Sequence, residues 1–364
     1  MHKYILILLA LLISDAASAQ SSPTVFQVGQ TSRVFHPAEP RNWRGSSRHE
    51  LSALVWFPTV TVTAPLPNEI GPSGHKIFVG HPLVASAAIA PGQHPMIMLS
   101  HGTGGSAESI DWLAAGLAEH GYIVVGLNHP GNNALEPLTA AGFHLWWERA
   151  IDVRQALDAV LEDAELAGAI DKSRIGAIGF SLGGYTVLEL AGARTDRDAF
   201  TRFCNSKEAD AICTPPEMRA LPPGSHFNES DPETAQSIVR SQDSYRDPRI
   251  RAVFAIAPAL GMAFSAAELA QITIPVKLVA GDADVTVPVA TNVMRYARLT
   301  ATATMTLIPR AGHYTFLDEC LPLGKSLLPQ LCQDRPEVER NAVHRQTMEL
   351  ALKFFADQFS VVGN

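Results

Sequence analysis

Beyond residue 94 the chain alternates between two textures. Residues 96–99, 122–127, 175–180, 253–257, 276–280 and 304–308 are short, nearly continuous apolar runs, the pattern of strands buried on both faces. Residues 110–119, 143–166, 182–191, 288–299 and 337–359 carry apolar positions at helical spacing instead. Strands separated by helices build right-handed βαβ units, hence a mostly parallel sheet with helices on both faces. Such a sheet holds its site at the carboxyl ends of its strands.

Two stretches break this rhythm. Residues 25–95 are rich in Pro, Gly, Thr and Ser. Within them 33–36 and 50–57 read as strands, 59–63 as a β-prone continuation, and 63–92 as turns without a clear element. Residues 194–248 carry Pro215, Pro216, Pro222, Pro223 and Asp231-Pro232. An insertion this long inside a compact domain reads as a lid over the strand ends. Its large apolar residues, Phe200, Phe203, Ile212, Leu221, Phe227 and Ile238, are scattered among charges and prolines rather than repeated along one face.

The first residues belong to a different category. His2 and Lys3 precede an apolar run over 4–13 and the small-residue triplet Ala17-Ser18-Ala19, the pattern of an export signal cut after Ala19. The expected organisation is a signal over 1–19, a β-rich extension over 20–94, and a core over 95–364 with the insertion at about 194–248. The apolar run is too short for a stable span, and no later one reaches the length a bilayer needs. Export to the periplasm or the medium changes the reading of the four cysteines. In an oxidising compartment they pair, three connectivities exist, and Cys204–Cys213 with Cys320–Cys332 are the local ones. The rival, a zinc site, lacks any C-x-x-C or H-E-x-x-H. The net charge of −8 argues against general nucleic-acid binding.

Candidate chemistry centres on Gly179-Phe180-Ser181-Leu182-Gly183, a G-x-S-x-G match between an apolar run and a helical stretch. A serine at a sharp strand-to-helix turn exposes its hydroxyl, and the flanking positions need small residues to fit the turn. The Leu182 N–H, at a helix start, points where an oxyanion would develop. The second donor is expected from Thr103, in the loop His101-Gly102-Thr103-Gly104-Gly105 after the first core strand. The same loop also reads Gly102-x-Gly104-x-x-Ala107, a dinucleotide fingerprint, but the next strand ends at Asn128-His129 without the acid a ribose requires. A serine nucleophile needs a base and an orienting acid. Asp282 and Asp284 follow the strand at 276–280; the G-x-x-D spacing from Gly281 favours Asp284, leaving Asp282 to the turn. His313 follows the last strand, completing the order Ser, Asp, His. Histidine suits the role because its pKa near 6.5 lets it take and return a proton at neutral pH.

With Ser100-His101-Gly102, the serine elbow, Gly281-x-x-Asp284 and Gly312-His313 in this order, the chain resembles the α/β-hydrolase superfamily. The run from Leu99 to Gly105, Asn128-His129-Pro130-Gly131 and Trp147-Glu148-Arg149-Ala150-x-Asp152 make it similar to dienelactone-hydrolase-like and platelet-activating-factor-acetylhydrolase-like esterases within it. The resemblance covers roughly residues 95–359. It implies an α/β-hydrolase fold, a Ser181–Asp284–His313 triad, a small-molecule ester substrate, and no metal or organic cofactor. Two departures stand out: dienelactone hydrolases proper use a cysteine nucleophile and are cytoplasmic, and the surface lipid-binding helix of the acetylhydrolases has no clear counterpart here. The same parts would serve an amidase or peptidase, and a fold with a broken triad would serve only as a binding module. Arg149 and Asp152 read as a tie between helix and sheet, or as an exposed i, i+3 pair.

Overall fold

The computed structural model describes residues 25–37 and 42–360. The expected export signal lies outside the described residues. Ten strands occur among them: β1 (Gln27–Phe35), β2 (Leu51–Thr59), β3 (Leu66–Ile70), β4 (Phe78–Leu83), β5 (His94–Ser100), β6 (Ile123–Asn128), β7 (Ile170–Phe180), β8 (Ile250–Ile256), β9 (Val276–Gly281) and β10 (Ala303–Ile308). Eight of them form one sheet in the order β1-β2-β6-β5-β7-β8-β9-β10. β1, β2 and β6 pair antiparallel, and every pair from β6 to β10 is parallel. The apolar runs thus form the expected sheet. Every residue of β6 is buried, which is why its sequence shows no polar alternation.

The helices are α1 (Asp111–Glu119), α2 (Ala140–His144), α3 (Glu148–Glu162), α4 (Leu182–Ala191), α5 (Arg197–Cys204), α6 (Pro232–Arg240), α7 (Ala266–Ala270), α8 (Val293–Leu299), α9 (Pro322–Leu327), α10 (Pro329–Cys332) and α11 (Arg340–Ser360). α1 and α11 pack together, and α3 packs on α4. α4 is buried along its whole length. Trp56 and Asp318 fix α1. The indole N–H of Trp56 donates to Asp111 at 2.7 Å, while the Asp318 carboxylate accepts the N–H groups of Asp111 and Trp112 at the helix start.

Several boundaries differ from the sequence reading. The helix expected over 143–166 is two helices, α2 and α3, separated at Leu145–Trp147. Leu145 and Trp147 are both buried, so the apolar pattern runs unbroken through the kink. The turn-rich stretch 63–92 contains β3 and β4, a two-stranded sheet of its own. The β-prone continuation at 59–63 ends at Thr59. The helix expected from Pro288 begins only at Val293, because Asn292 turns inward, donating to the Pro288 carbonyl and accepting the Gly261 N–H at 2.8 Å.

The insertion is more firmly packed than its sequence suggests. Phe203 and Ile212 are buried, and Phe200, Phe227 and Ile238 pack against the core. Ser237 on α6 accepts the Trp147 indole N–H at 3.0 Å and donates to the buried Glu148. Disulfides join Cys204 to Cys213 and Cys320 to Cys332. Closing loops of this length stabilises by about 2–3 kcal/mol each, chiefly by restricting the unfolded chain.

Candidate active site

The order β6-β5-β7 means that the chain leaves β5 to one side and returns on the other. That reversal opens a crevice at the carboxyl ends of β5 and β7. At this point β7 turns directly into α4 through Ser181. Ser181 has φ 55° and ψ −117°, a conformation costing of the order of 1–3 kcal/mol for a residue with a side chain. Its neighbours make the turn possible. A Cβ on Gly179 would overlap the Gly183 carbonyl, and one on Gly183 the Ser100 carbonyl. One on Gly184 would come within 2.7 Å of Pro258. The Ser181 N–H donates to Ile256 at 2.9 Å and its carbonyl accepts from Ala259 at 3.0 Å, so the end of β8 holds the elbow from outside.

His313 Nε2 lies 3.0 Å from Ser181 Oγ, and His313 Nδ1 lies 2.7 Å from Asp284 Oδ2. The other Asp284 oxygen accepts the N–H groups of Thr286 at 3.0 Å and Val287 at 2.7 Å, which fixes the carboxylate. Asp282 points elsewhere and accepts the Arg310 N–H at 2.5 Å, bracing the loop that carries His313. Thr103 and Leu182 share a cavity wall with Ser181. Leu182 opens α4, so its N–H lacks an intrahelical acceptor. Neither that N–H nor that of Thr103 meets an acceptor among the described residues. The Thr103 loop is held by the Gly104 N–H, which donates to Asn132 Oδ1 at 2.8 Å.

Beneath this loop lies a second serine, histidine and aspartate in the same hydrogen-bonding order. Ser100 Oγ is 2.9 Å from His129 Nε2, and His129 Nδ1 is 2.8 Å from Asp152. Asp152 also accepts from Arg44 at 2.7 Å. All four residues are buried, and none lines either cavity at Ser181. This chain therefore joins β5, the loop after β6, α3 and the N-terminal segment. Burial pushes the Arg44 guanidinium down to about 10. Arg149 does not pair with Asp152; it donates to the His101 carbonyl under the Thr103 loop. Burial, with the nearby Arg149 charge, holds His101 well below the usual histidine range. Arg149 and Asp152 thus tie α3 to the sheet.

Two cavities meet at Ser181, and Thr103, Ser181 and Glu217 line both. One measures about 70 Å³ and is bounded by Trp146, Phe200, Ile212 and Leu260. The other measures about 650 Å³ and is bounded by His313, Tyr314, Leu138 and Leu331. Glu217, from the insertion, stands between them and accepts the Tyr314 hydroxyl at 2.6 Å. Nothing in the sequence singled out Glu217 or Arg44, because each acts through a contact distant in the chain. Among the described residues no group of three or more His, Cys, Asp or Glu is arranged to hold a metal ion.

A mostly parallel sheet with this crossover and a serine elbow after β7 defines the α/β-hydrolase class. The chain belongs to that family: the model of the alpha/beta hydrolase family matches residues 97–320. Among curated proteins it is similar to cutinase est2 of Thermobifida alba, 35% identical over 105 residues, or 28% of this chain and 32% of that one. It is also similar to the platelet-activating factor acetylhydrolase of Cavia porcellus, 22% identical over 206 residues, covering 43% and 45% of the two chains. The chain spans only about a third of the length of the cutinases it matches. Among solved structures, a ferulic acid esterase from Streptomyces cinnamoneus superposes with a TM-score of 0.62 at 18% identity over 93% of this chain and 92% of that one. At that identity the likeness is one of fold.

One buried carboxyl near the site has a pH signature. Glu189 on α4 accepts the hydroxyls of Tyr185 and Thr195, each at 2.8 Å, and burial pushes its pKa up from 4.5 to about 8. Between these values the unfolded chain has lost the Glu189 proton and the folded chain retains it, so this group's contribution to stability falls as pH rises. Glu189→Gln keeps an acceptor and removes the titration. It is expected to leave stability unchanged near pH 4 and to raise it by a few kcal/mol, in order of magnitude, above pH 8. Urea unfolding curves at the two pH values provide the check.

Proposed function

We propose that the protein is a serine hydrolase of carboxylic esters that works through an acyl-serine intermediate. The observation that carries this reading is the hydrogen-bonded line from Ser181 Oγ through both nitrogens of His313 to Asp284. Ser181 attacks the ester carbonyl while His313 Nε2 accepts its proton, and Asp284 orients the ring and stabilises the imidazolium. The N–H groups of Thr103 and Leu182 hold the developing oxyanion. His313 then passes the proton to the departing alcohol oxygen, and water releases the acid by the reverse sequence. All of this uses protein groups alone. A fluorophosphonate probe is the direct test: labelling at Ser181 and nowhere else, Ser100 included, is expected, and absence of label there refutes the proposal.

Short acyl groups are the favoured substrates in this reading, and the protein acts after export. The two disulfides support export. The insertion supports the acyl preference. Its large apolar side chains turn inward, and Val239 is the one exposed among them. It therefore lacks the broad apolar face with which a lid meets an oil surface. Each methylene gains up to about 0.8 kcal/mol only where apolar wall exists to bury it. Across p-nitrophenyl esters of two to about sixteen carbons, kcat/KM is expected to peak at two to four, with no jump at the micellar threshold. A peak at about twelve or beyond, or a jump, overturns the acyl assignment.

A further inference from the structure

We infer that the two cavities at Ser181 divide the substrate unequally: the small one takes the acyl group and the large one a bulky, largely apolar alcohol without negative charge. The inference rests on the proposed serine-esterase reading and specifies its substrate class as esters of short acids with large alcohols. The assignment follows from where the proton must go. As Ser181 Oγ forms its bond to the carbonyl carbon, the bond from that carbon to the alcohol oxygen breaks. The proton taken from Ser181 by His313 Nε2 is delivered to that oxygen. The alcohol must therefore lie on the His313 side of Ser181. His313 and its neighbour Tyr314 are in the wall of the large cavity and absent from that of the small one. Leu182, the proposed oxyanion donor, lines the small cavity and not the large one, so the small cavity receives the carbon chain on the other side of the carbonyl.

Size and chemistry then set the class. The 70 Å³ cavity is about half the roughly 150 Å³ that holds a benzene ring, and Trp146 and Phe200 close it, ring edge to ring face, with centroids 5.0 Å apart. Phe200 stands on α5, whose end is bridged to Ile212 and Cys213 by the Cys204–Cys213 disulfide, so the wall cannot retreat easily. The 650 Å³ cavity falls in the range of drug-sized ligand pockets. Its wall is largely apolar, through Leu138, Phe180, Leu317 and Leu331, but it also carries the carboxyl groups of Glu108 and Glu217. Burial and the nearby Asp111 raise the Glu108 pKa. An anionic alcohol meets repulsion there, whereas a neutral apolar one gains burial.

Two isomeric esters separate this assignment from the general reading. Hexyl acetate and ethyl hexanoate have the same atoms and differ only in the side of the carbonyl that carries the long chain. With the wild-type protein, kcat/KM for hexyl acetate is expected to exceed that for ethyl hexanoate by at least about tenfold, since several methylenes change from a filled wall to free space. Phe200→Ala opens the small cavity and is expected to reduce that ratio by raising ethyl hexanoate turnover. Ala220→Trp, at the exposed rim of the large cavity, is expected to reduce it by lowering hexyl acetate turnover. A ratio near one or inverted, in protein whose Ser181 takes the fluorophosphonate label, overturns the division while leaving the esterase reading intact. Labelled protein that hydrolyses neither isomer also overturns it. Failure of Ser181 to label removes the esterase reading and this inference with it.

Discussion

Replacing Ser181 or His313 with alanine is expected to lower kcat for a short ester by at least about 10³-fold, each alone and by a similar amount together, because the members of such a unit fail as one. Asp284→Asn should approach the same loss. Its carboxylate accepts two backbone N–H groups through one oxygen and faces His313 Nδ1 with the other, so an amide presents the wrong group or the wrong charge to the ring. Asp282→Asn should be mild, since an amide oxygen still accepts the Arg310 N–H. Steady-state kinetics with p-nitrophenyl acetate measures all five variants. A severe Asp282→Asn beside a mild Asp284→Asn would mean that the acid is misassigned.

The largest effect on stability is expected at Asp152. Asp152→Ala should cost about 3–5 kcal/mol, the usual result of removing one partner from a buried ion pair. The carboxylate is fully buried and meets Arg44 at 2.7 Å and His129 at 2.8 Å. Its loss strands a guanidinium that burial already drives toward deprotonation. Asp152→Asn should cost less, because one acceptor remains. Replacing Arg44 and Asp152 together by methionine and leucine should recover much of the loss, since an apolar pair of similar volume carries no desolvation cost. Urea denaturation midpoints at one pH decide the order. If the double variant is as unstable as Asp152→Ala, packing rather than charge governs the site.

The parts of this molecule legible in sequence are those whose constraint is written in a few consecutive residues or in the order of elements along the chain. The elbow is of this kind, because Gly179, Ser181 and Gly183 crowd one another and the ends of adjacent strands. The strands from β5 to β9 are buried on both faces and therefore announce themselves as apolar runs. Asp284 and His313 could be selected because chain order and strand ends limit the choices. Less was legible wherever a distant contact decides. β3 reads Leu66-Pro67-Asn68-Glu69-Ile70 and is mostly exposed, so no apolar alternation marks it. The break between α2 and α3 is hidden because Leu145 and Trp147 are buried on either side of it. The insertion looks polar because its few large apolar residues are far apart in sequence; folding collects Phe200 and Ile212 at one cavity wall. Arg44 lies in a stretch with no periodicity at all, and its contacts with Pro130 and Asp152, both distant in the chain, give it a role.

The edge position of β10 has a consequence for how the molecule holds together under thermal motion. Among the described residues β10 pairs only with β9, and several of its residues are open to water. Elements of that kind open locally at lower free energy than a central strand such as β6. His313 lies five residues beyond the end of β10, so the proposed base is carried by a weakly held part of the sheet. The chain secures it from downstream. Thr315 donates to Asp334 at 2.7 Å, Arg340 clamps Asp334 at 2.8 Å and the Asp318 carbonyl at 2.9 Å, and the Cys320–Cys332 bridge closes the segment between. The segment from Thr315 to Arg340 thus acts as a brace against local opening, and the alignment of His313 with Ser181 depends on side chains outside the walls of both cavities.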